Sequence, residues 1–296
     1  MKHHTLAIAT AWLATAAFAQ HENHAPPANP SATAQRPATA RIWTQQPLLL
    51  PGRMARGERS SAVLRPQGIA AASVTVFAPE GPTERLKVVY PVETDGAKIA
   101  SAAPKIGNYH WAVAREENAD EVRIASTVWY FGNPGDSPQA LLKAPKHELE
   151  IVPEPLPREH GNYRESEKWR FLVRLNGQPL SGQTVKLESE FGSRSTFLTD
   201  ATGHATVLFP RDFRPQEGQA EGHGPRRAKF VLVTEREIDG KKFLTAFNYV
   251  YAQDADRDRS LGWGAAFGLV GMIAATPLLR RRKDSERDNA GGSDHA

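Results

Sequence analysis

Residues 20–24 read Gln-His-Glu-Asn-His. Two imidazoles, His21 and His24, flank the carboxylate of Glu22 and the amide of Asn23. Such nitrogen and oxygen donors suit divalent first-row metals. With Gln20 as a free amino terminus, its amine and the His21 imidazole would chelate one ion through five- and six-membered rings. A deprotonated backbone nitrogen between them favours square-planar Ni(II) or Cu(II), and His24 or Glu22 would close the site. Two facts oppose this. An amino-terminal glutamine cyclises to pyroglutamate, which removes the amine. Ordering a loose segment also costs about 1–2 kcal/mol per residue. The tract therefore reads either as a metal-binding terminus or as the solvated start of a linker. It is not the zinc-protease pattern H-E-x-x-H, because its histidines stand one residue too close.

Other candidate ligands are scattered. His147 lies beside Glu148 and Glu150, His160 follows Glu159, and His110 sits between Tyr109 and Trp111. A metal at His147 or His110 requires the fold to gather these groups; a solitary histidine on a strand or loop is ordinarily solvated. His204 and His223 fall in turn and loop contexts. There is no G-x-S-x-G elbow and no phosphate-cradling G-x-x-x-x-G-K-[ST]. The acidic pairs Glu116-Glu117 and Asp120-Glu121 flank an apparent hairpin turn, where a solvated face is the default. The expectation is a protein that is not an enzyme.

The elements that must position these residues begin with the ends of the chain. Lys2 precedes an apolar run over residues 5–18, and Ala17-Phe18-Ala19 fits small-x-small cleavage, so residues 1–19 read as a signal peptide. Residues 261–279 carry no charge and stop at Arg280-Arg281-Arg282-Lys283. As a helix they would measure about 28 Å, close to the hydrocarbon thickness. Positive residues stay cytoplasmic. The expectation is a single-pass anchor in a bacterial inner membrane, with the amino-terminal bulk in the periplasm and a cytoplasmic tail at 280–296. Gly264 and Gly268 form a G-x-x-x-G pair suited to self-association or to packing on a transporter subunit.

Composition limits the chemistry further. There is no cysteine, hence no disulfide and no thiolate metal site. The formal charge of +4 falls to about +2 once Lys2 and the tail's surplus of one are set aside. That is no nucleic-acid footprint.

Residues 20–40 are rich in Pro, Ala, Ser and Thr and lack large apolar side chains, so they read as a linker. Between it and a polar spacer at 253–260, period-2 alternation dominates. In Lys168–Leu175, Trp169, Phe171, Val173 and Leu175 alternate with Lys168, Arg170, Leu172 and Arg174. Asn176-Gly177 and Asp239-Gly240 supply hairpin turns. In the first half, Ala-Arg-Ile-Trp-Thr at 40–44 and the runs 58–65, 72–78, 84–92, 107–115 and 121–131 are strand candidates, with Tyr109, Trp111 and Val113 sharing one face. Long loops are expected at 132–145 and 210–228. The fold class is all-β: two Ig-like antiparallel β-sandwich domains, 41–145 and 146–252.

Several of these motifs carry a family resemblance. Leu149 to Pro153, Asn176-Gly177, Pro179-Leu180-Ser181-Gly182 and Thr199-Asp200-Ala201-Thr202-Gly203 follow in order. The block is similar to bacterial periplasmic proteins of the domain of unknown function 4198 family, a group that includes components associated with nickel and cobalt uptake. The resemblance covers 145–250 well and 40–145 loosely. It implies a two-part sandwich that assists Ni(II) or Co(II) uptake alongside a transporter subunit or receptor. Family members often open the mature chain with a histidine before the first strand; Arg41 stands there in this sequence. The expected function is therefore a membrane-anchored accessory protein for transition-metal uptake, with Gln20, His21 and His24 as foremost ligands and His147 and His110 behind them. The alternative is an Ig-like interaction or envelope scaffold without metal.

Overall fold

Short runs of alternating or wholly apolar residues, parted by glycine and asparagine turns, form nearly every regular element. The computed structural model describes residues 42–53, 60–102, 108–132, 138–157, 161–214, 226–254, 265–273 and 275. In chain order the elements are β1 (Leu48–Pro51), β2 (Ser61–Gln67), β3 (Ser73–Phe77), β4 (Lys87–Pro91), β5 (Ala97–Ala100), β6 (Tyr109–Glu117) and β7 (Glu121–Tyr130). A short helix α1 (Gln139–Lys143) leads into β8 (Leu149–Pro153), β9 (Tyr163–Arg164), β10 (Lys168–Leu175), β11 (Gln178–Pro179) and β12 (Thr184–Ser189). Then come β13 (Arg194–Leu198), β14 (His204–Leu208), β15 (Arg227–Ile238) and β16 (Lys241–Ala252).

Three sheets result. The longest runs β13-β12-β15-β16-β7-β6-β3-β4, with β9 added on β16. A four-stranded sheet holds β11, β10, β14 and β8, and a three-stranded one runs β1-β2-β5. Pairing is antiparallel except where β16 runs parallel to β7, from Lys242↔Glu121 to Phe247↔Ser126, and parallel to β9. Strand β16 thus hydrogen-bonds segments from before and after residue 145 into one sheet.

Alternation along β6 explains the layering. Tyr109, Trp111 and Val113 enter the core that also holds Phe171, Phe209, Phe230 and Phe247. Ala112 and Ala114 point the other way, into a core with Leu64, Val74, Val76 and Ile99. The alanines leave room for the β2–β5 layer to approach, and β6 is buried on both faces, as its continuous apolar run requires. Each large side chain so buried contributes about 1.5–3 kcal/mol. The molecule is thus all-β, with sheets packed face to face in sandwich fashion.

Turn chemistry matches the residues. Asn176 and Gly177 have φ of 49° and 81°, and Asp239 and Gly240 have 51° and 78°. These left-handed pairs are what tight two-residue hairpins require.

Some elements differ from expectation. Ile42 to Thr44 form no strand, and Ile42 is 66% exposed. The first strand starts at Leu48 instead, where Leu48 and Leu49 find cores on opposite faces. Strand β5 lies in a stretch that alternation did not single out. The expected loop at 132–145 contains α1.

Residues 265–273 are helical, with Phe267, Leu269, Val270, Met272 and Ile273 exposed. Among the described residues no helix is long and apolar enough to cross a membrane. The expected span 261–279 extends beyond them. The signal peptide at 1–19, the linker at 20–40, Gly264 and the tail at 280–296 lie outside the described residues.

Candidate functional site

The segment 145–148, which enters β8, carries the densest cluster of perturbed groups. It borders a cavity of about 510 Å³ whose walls include Ser73, Thr75, Arg115, Lys146, His147 and Glu148. The Lys146 ammonium donates to the carbonyls of Leu141 (2.6 Å) and Ala144 (2.8 Å), closing the carboxyl end of α1. It also lies 4.8 Å over the Trp111 ring. Burial pulls its pKa down to about 8, with Glu150 opposing that shift and Arg174 adding to it.

His147 is the nearest approach to a ligand in this body. Both ring nitrogens are buried and, among the described residues, make no hydrogen bond of normal geometry. Burial holds the imidazole neutral, with a pKa of about 4; Glu150, Glu148 and a weak backbone approach from Leu149 act against that. A neutral imidazole is the form a metal accepts. Its acidic neighbours are taken, however. Arg115 clasps Glu148 through two bonds of 2.7 and 3.0 Å. Glu150 is bound by Arg174 at 2.6 Å.

His110 is committed differently. Its Nε2 accepts the Ala102 N–H at 3.1 Å, so its Nδ1–H faces the Asn108 carbonyl at 3.4 Å. The ring meets Phe131 edge-on at 4.7 Å. Burial lowers its pKa to about 4. With both nitrogens engaged, it is a neutral core histidine. His204 bonds Glu154 through Nε2 and Thr202 Oγ1 through Nδ1 (2.8 Å), and Asp200 accepts from Thr202 Oγ1 at 2.7 Å. That chain fastens the β13–β14 turn to the end of β8. Gln20, His21, His24, His160 and His223 lie outside the described residues. Among the described residues, no group of three or more His, Cys, Asp or Glu side chains converges as a metal would require.

Of the acidic residues at the β6–β7 hairpin, Glu116 and Glu117 are tied to partners, while Asp120 is exposed to solvent. Glu117 binds Lys241 at 2.6 Å and Arg115 at 2.8 Å, and these partners hold its pKa down near 2, Lys241 first. Glu116 accepts the Ala70 N–H at 3.0 Å. Asp212 gathers three hydroxyls: Ser189 and Tyr251 at 2.6 Å and Ser193 at 2.5 Å. Sequence reasoning missed Arg115, Arg174 and Lys146. The run Lys146-His147-Glu148 was a visible signal, but partners on distant strands leave no local mark.

No family model matches the chain, and no curated protein matches it. Among solved structures, the D0-D1 domain of intimin is similar at 12% identity and a TM-score of 0.21, over 64% of this chain and 87% of that one. A likeness so slight bears no functional argument.

Proposed function

We propose that the chain is a non-enzymatic envelope scaffold: an Ig-like β-sandwich body, exported, tethered to the inner membrane by residues 261–279, and presenting its surface to a protein partner in the periplasm. One observation carries this reading. The charged side chains of the body's densest polar cluster bind one another or backbone carbonyls, as in Arg174–Glu150, Arg115–Glu148 and Lys146 on Leu141 and Ala144. Groups so matched hold strands in place and leave little for turnover. The exposed apolar side chains of 265–273 support the tether, since lipid would cover them. The test is crosslinking of the full-length protein in intact cells, with and without a chelator. A discrete crosslinked partner that persists in chelator supports the scaffold; loss of every crosslink in chelator defeats it.

A second reading rests on the Gln20-His21-Glu22-Asn23-His24 tract. Here the same tethered body serves nickel or cobalt uptake, and the ion binds at the processed terminus through Gln20, His21 and His24. Isothermal titration of the processed full-length protein with Ni(II) and Co(II) tests it. Binding that vanishes in the His21→Ala, His24→Ala variant supports it, and equal binding by that variant removes it. Mass spectrometry of the terminus shows whether Gln20 keeps its amine.

A further inference from the structure

A second cavity, of about 440 Å³, lies where β1 crosses the ends of β7 and β16. We propose that it binds a small organic acid, with an aromatic or aliphatic body held against the tyrosines and the carboxylate held by Arg227.

The volume lies within the ~300–1,000 Å³ typical of small-molecule sites. The floor is apolar: Leu49, Leu64 and Val128 are all buried. One wall is aromatic. Tyr109 and Tyr130 have ring centroids 5.1 Å apart at 50°, and Tyr249 and Trp129 also line the space. Aromatic faces of this kind take flat or aliphatic bodies with little loss of side-chain freedom.

The polar groups around the cavity sort into engaged and free. Asn248 spends its amide on Leu49, accepting the N–H and donating to the carbonyl, both at 2.8 Å. Thr127 Oγ1 donates to the Asn248 carbonyl at 2.7 Å. Tyr109 donates to the Pro157 carbonyl at 3.2 Å. Lys229 is held by Glu190 at 2.6 Å. Of the two charged side chains that line it, Arg227 is left over. It is exposed at the cavity's edge, and among the described residues its guanidinium has no ion pair or hydrogen bond.

Charge selects the ligand class. Arg227 and Lys229 line the cavity, and among its described lining residues there is no carboxylate. The positive field of Arg227 reaches the hydroxyls of Tyr109 and Tyr249, where it favours their ionised forms against the effect of burial. A cationic ligand would meet that field unopposed. A planar carboxylate would instead match the guanidinium fork in a bidentate bond. One uncommitted cation suits a monoanion better than a dianionic phosphate.

The site stands apart from both functional readings above and needs neither. The test uses the full chain in lipid nanodiscs, titrated with indole-3-acetate, 3-phenylpropanoate and octanoate and with the neutral amide of each. Binding is read by saturation-transfer NMR and calorimetry. At least one acid should bind about tenfold or more tighter than its amide, the gain expected of a charge-assisted pair. Arg227→Gln should bring that acid down to the level of its amide, and Arg227→Lys should fall between. The acid–amide comparison is made on the unaltered protein, so it does not depend on any variant folding. Equal affinity for acid and amide overturns the proposal. So does undiminished acid binding in Arg227→Gln, or no saturable binding of any of the three acids at millimolar concentration.

Discussion

Arg174 and Glu150 face each other across β10 and β8, joined Nε to Oε2 at 2.6 Å, with side chains only 4% and 0% exposed. The pair is fully matched. Nη1 and Nη2 each donate one hydrogen to a carbonyl, of Lys143 (2.7 Å) and Ala144 (2.8 Å), and Glu150 Oε1 accepts the Lys146 N–H at 3.0 Å. One ion pair therefore locks the end of α1, the segment entering β8 and the centre of the four-stranded sheet. Removing one partner strands a charge where water cannot reach it. Glu150→Ala should lower stability by about 3–5 kcal/mol. Replacing both, Glu150→Leu with Arg174→Met, should recover much of that loss, because two desolvated charges vanish together. Denaturant unfolding of the full-length protein in detergent checks both. A double variant less stable than Glu150→Ala would contradict the account.

Acid should weaken the fold through its buried histidines. His147 and His110 each have a pKa near 4 when folded, against 6.5 ordinarily. Between those values the unfolded chain takes up protons that the folded chain refuses. Their contribution is therefore whole above about pH 6.5 and is lost as pH falls toward 4. Each histidine adds a slope of about 1.4 kcal/mol per pH unit across that window. In His147→Leu the slope of unfolding free energy should be shallower by about one proton. An unchanged slope between pH 6.5 and 4.5 would show that His147 is not held neutral.

Much of this fold could be read from alternation and turn residues. Phe171 and Val173 are buried where the pattern of β10 places them, and Tyr109, Trp111 and Val113 do share a face. Asn176-Gly177 and Asp239-Gly240 turn as their residue types demand. What escaped is long-range. Arg174 occupies an outward position in the alternation, and only Glu150, on a different strand, explains why it is buried. The parallel register of β16 on β7 has no local signature either, since both strands read as ordinary apolar runs. At the candidate site, His147 was visible beside two carboxylates. That both carboxylates answer to arginines elsewhere was not. The second cavity draws Tyr109, Arg227 and Asn248 from three separate strands and could not be read from spacing.

Asn248 stands in for a neighbouring strand. Its side chain makes to Leu49 the two bonds, each 2.8 Å, that a backbone partner would make on that edge of β1. Asn248→Ala should leave the Leu49 N–H and C=O buried and unpaired, a loss of about 1–3 kcal/mol. Local opening should be felt first at β1. Hydrogen–deuterium exchange of residues 48–51 should speed up more than that of β15, whose partners on both sides stay in place. Equal acceleration throughout would mean that β1 opens only with the whole body, and no acceleration at 48–51 would mean that its pairing with β2 holds it without Asn248.

Tyr163 lies at the centre of the largest core, surrounded by rings. Trp169 is 4.8 Å away, Phe209 5.3 Å, Phe230 5.6 Å and Phe171 5.7 Å. Its hydroxyl is buried and has no hydrogen-bond partner among the described residues. Burial drives its pKa upward, with Tyr249 adding to the effect, so the phenol stays protonated with its donor unspent. The ring supplies the packing while the oxygen supplies only a desolvation loss. Phe at this position keeps every ring contact and removes that loss. Tyr163→Phe should therefore raise stability by about 1 kcal/mol, within the ~1–3 kcal/mol range for an unsatisfied buried group. Removing a satisfied hydroxyl would lower stability by a similar amount, so the sign of the change in unfolding free energy decides between the two cases. Tyr251→Phe is the matched control. Its hydroxyl donates to Asp212 at 2.6 Å, and its loss should destabilise.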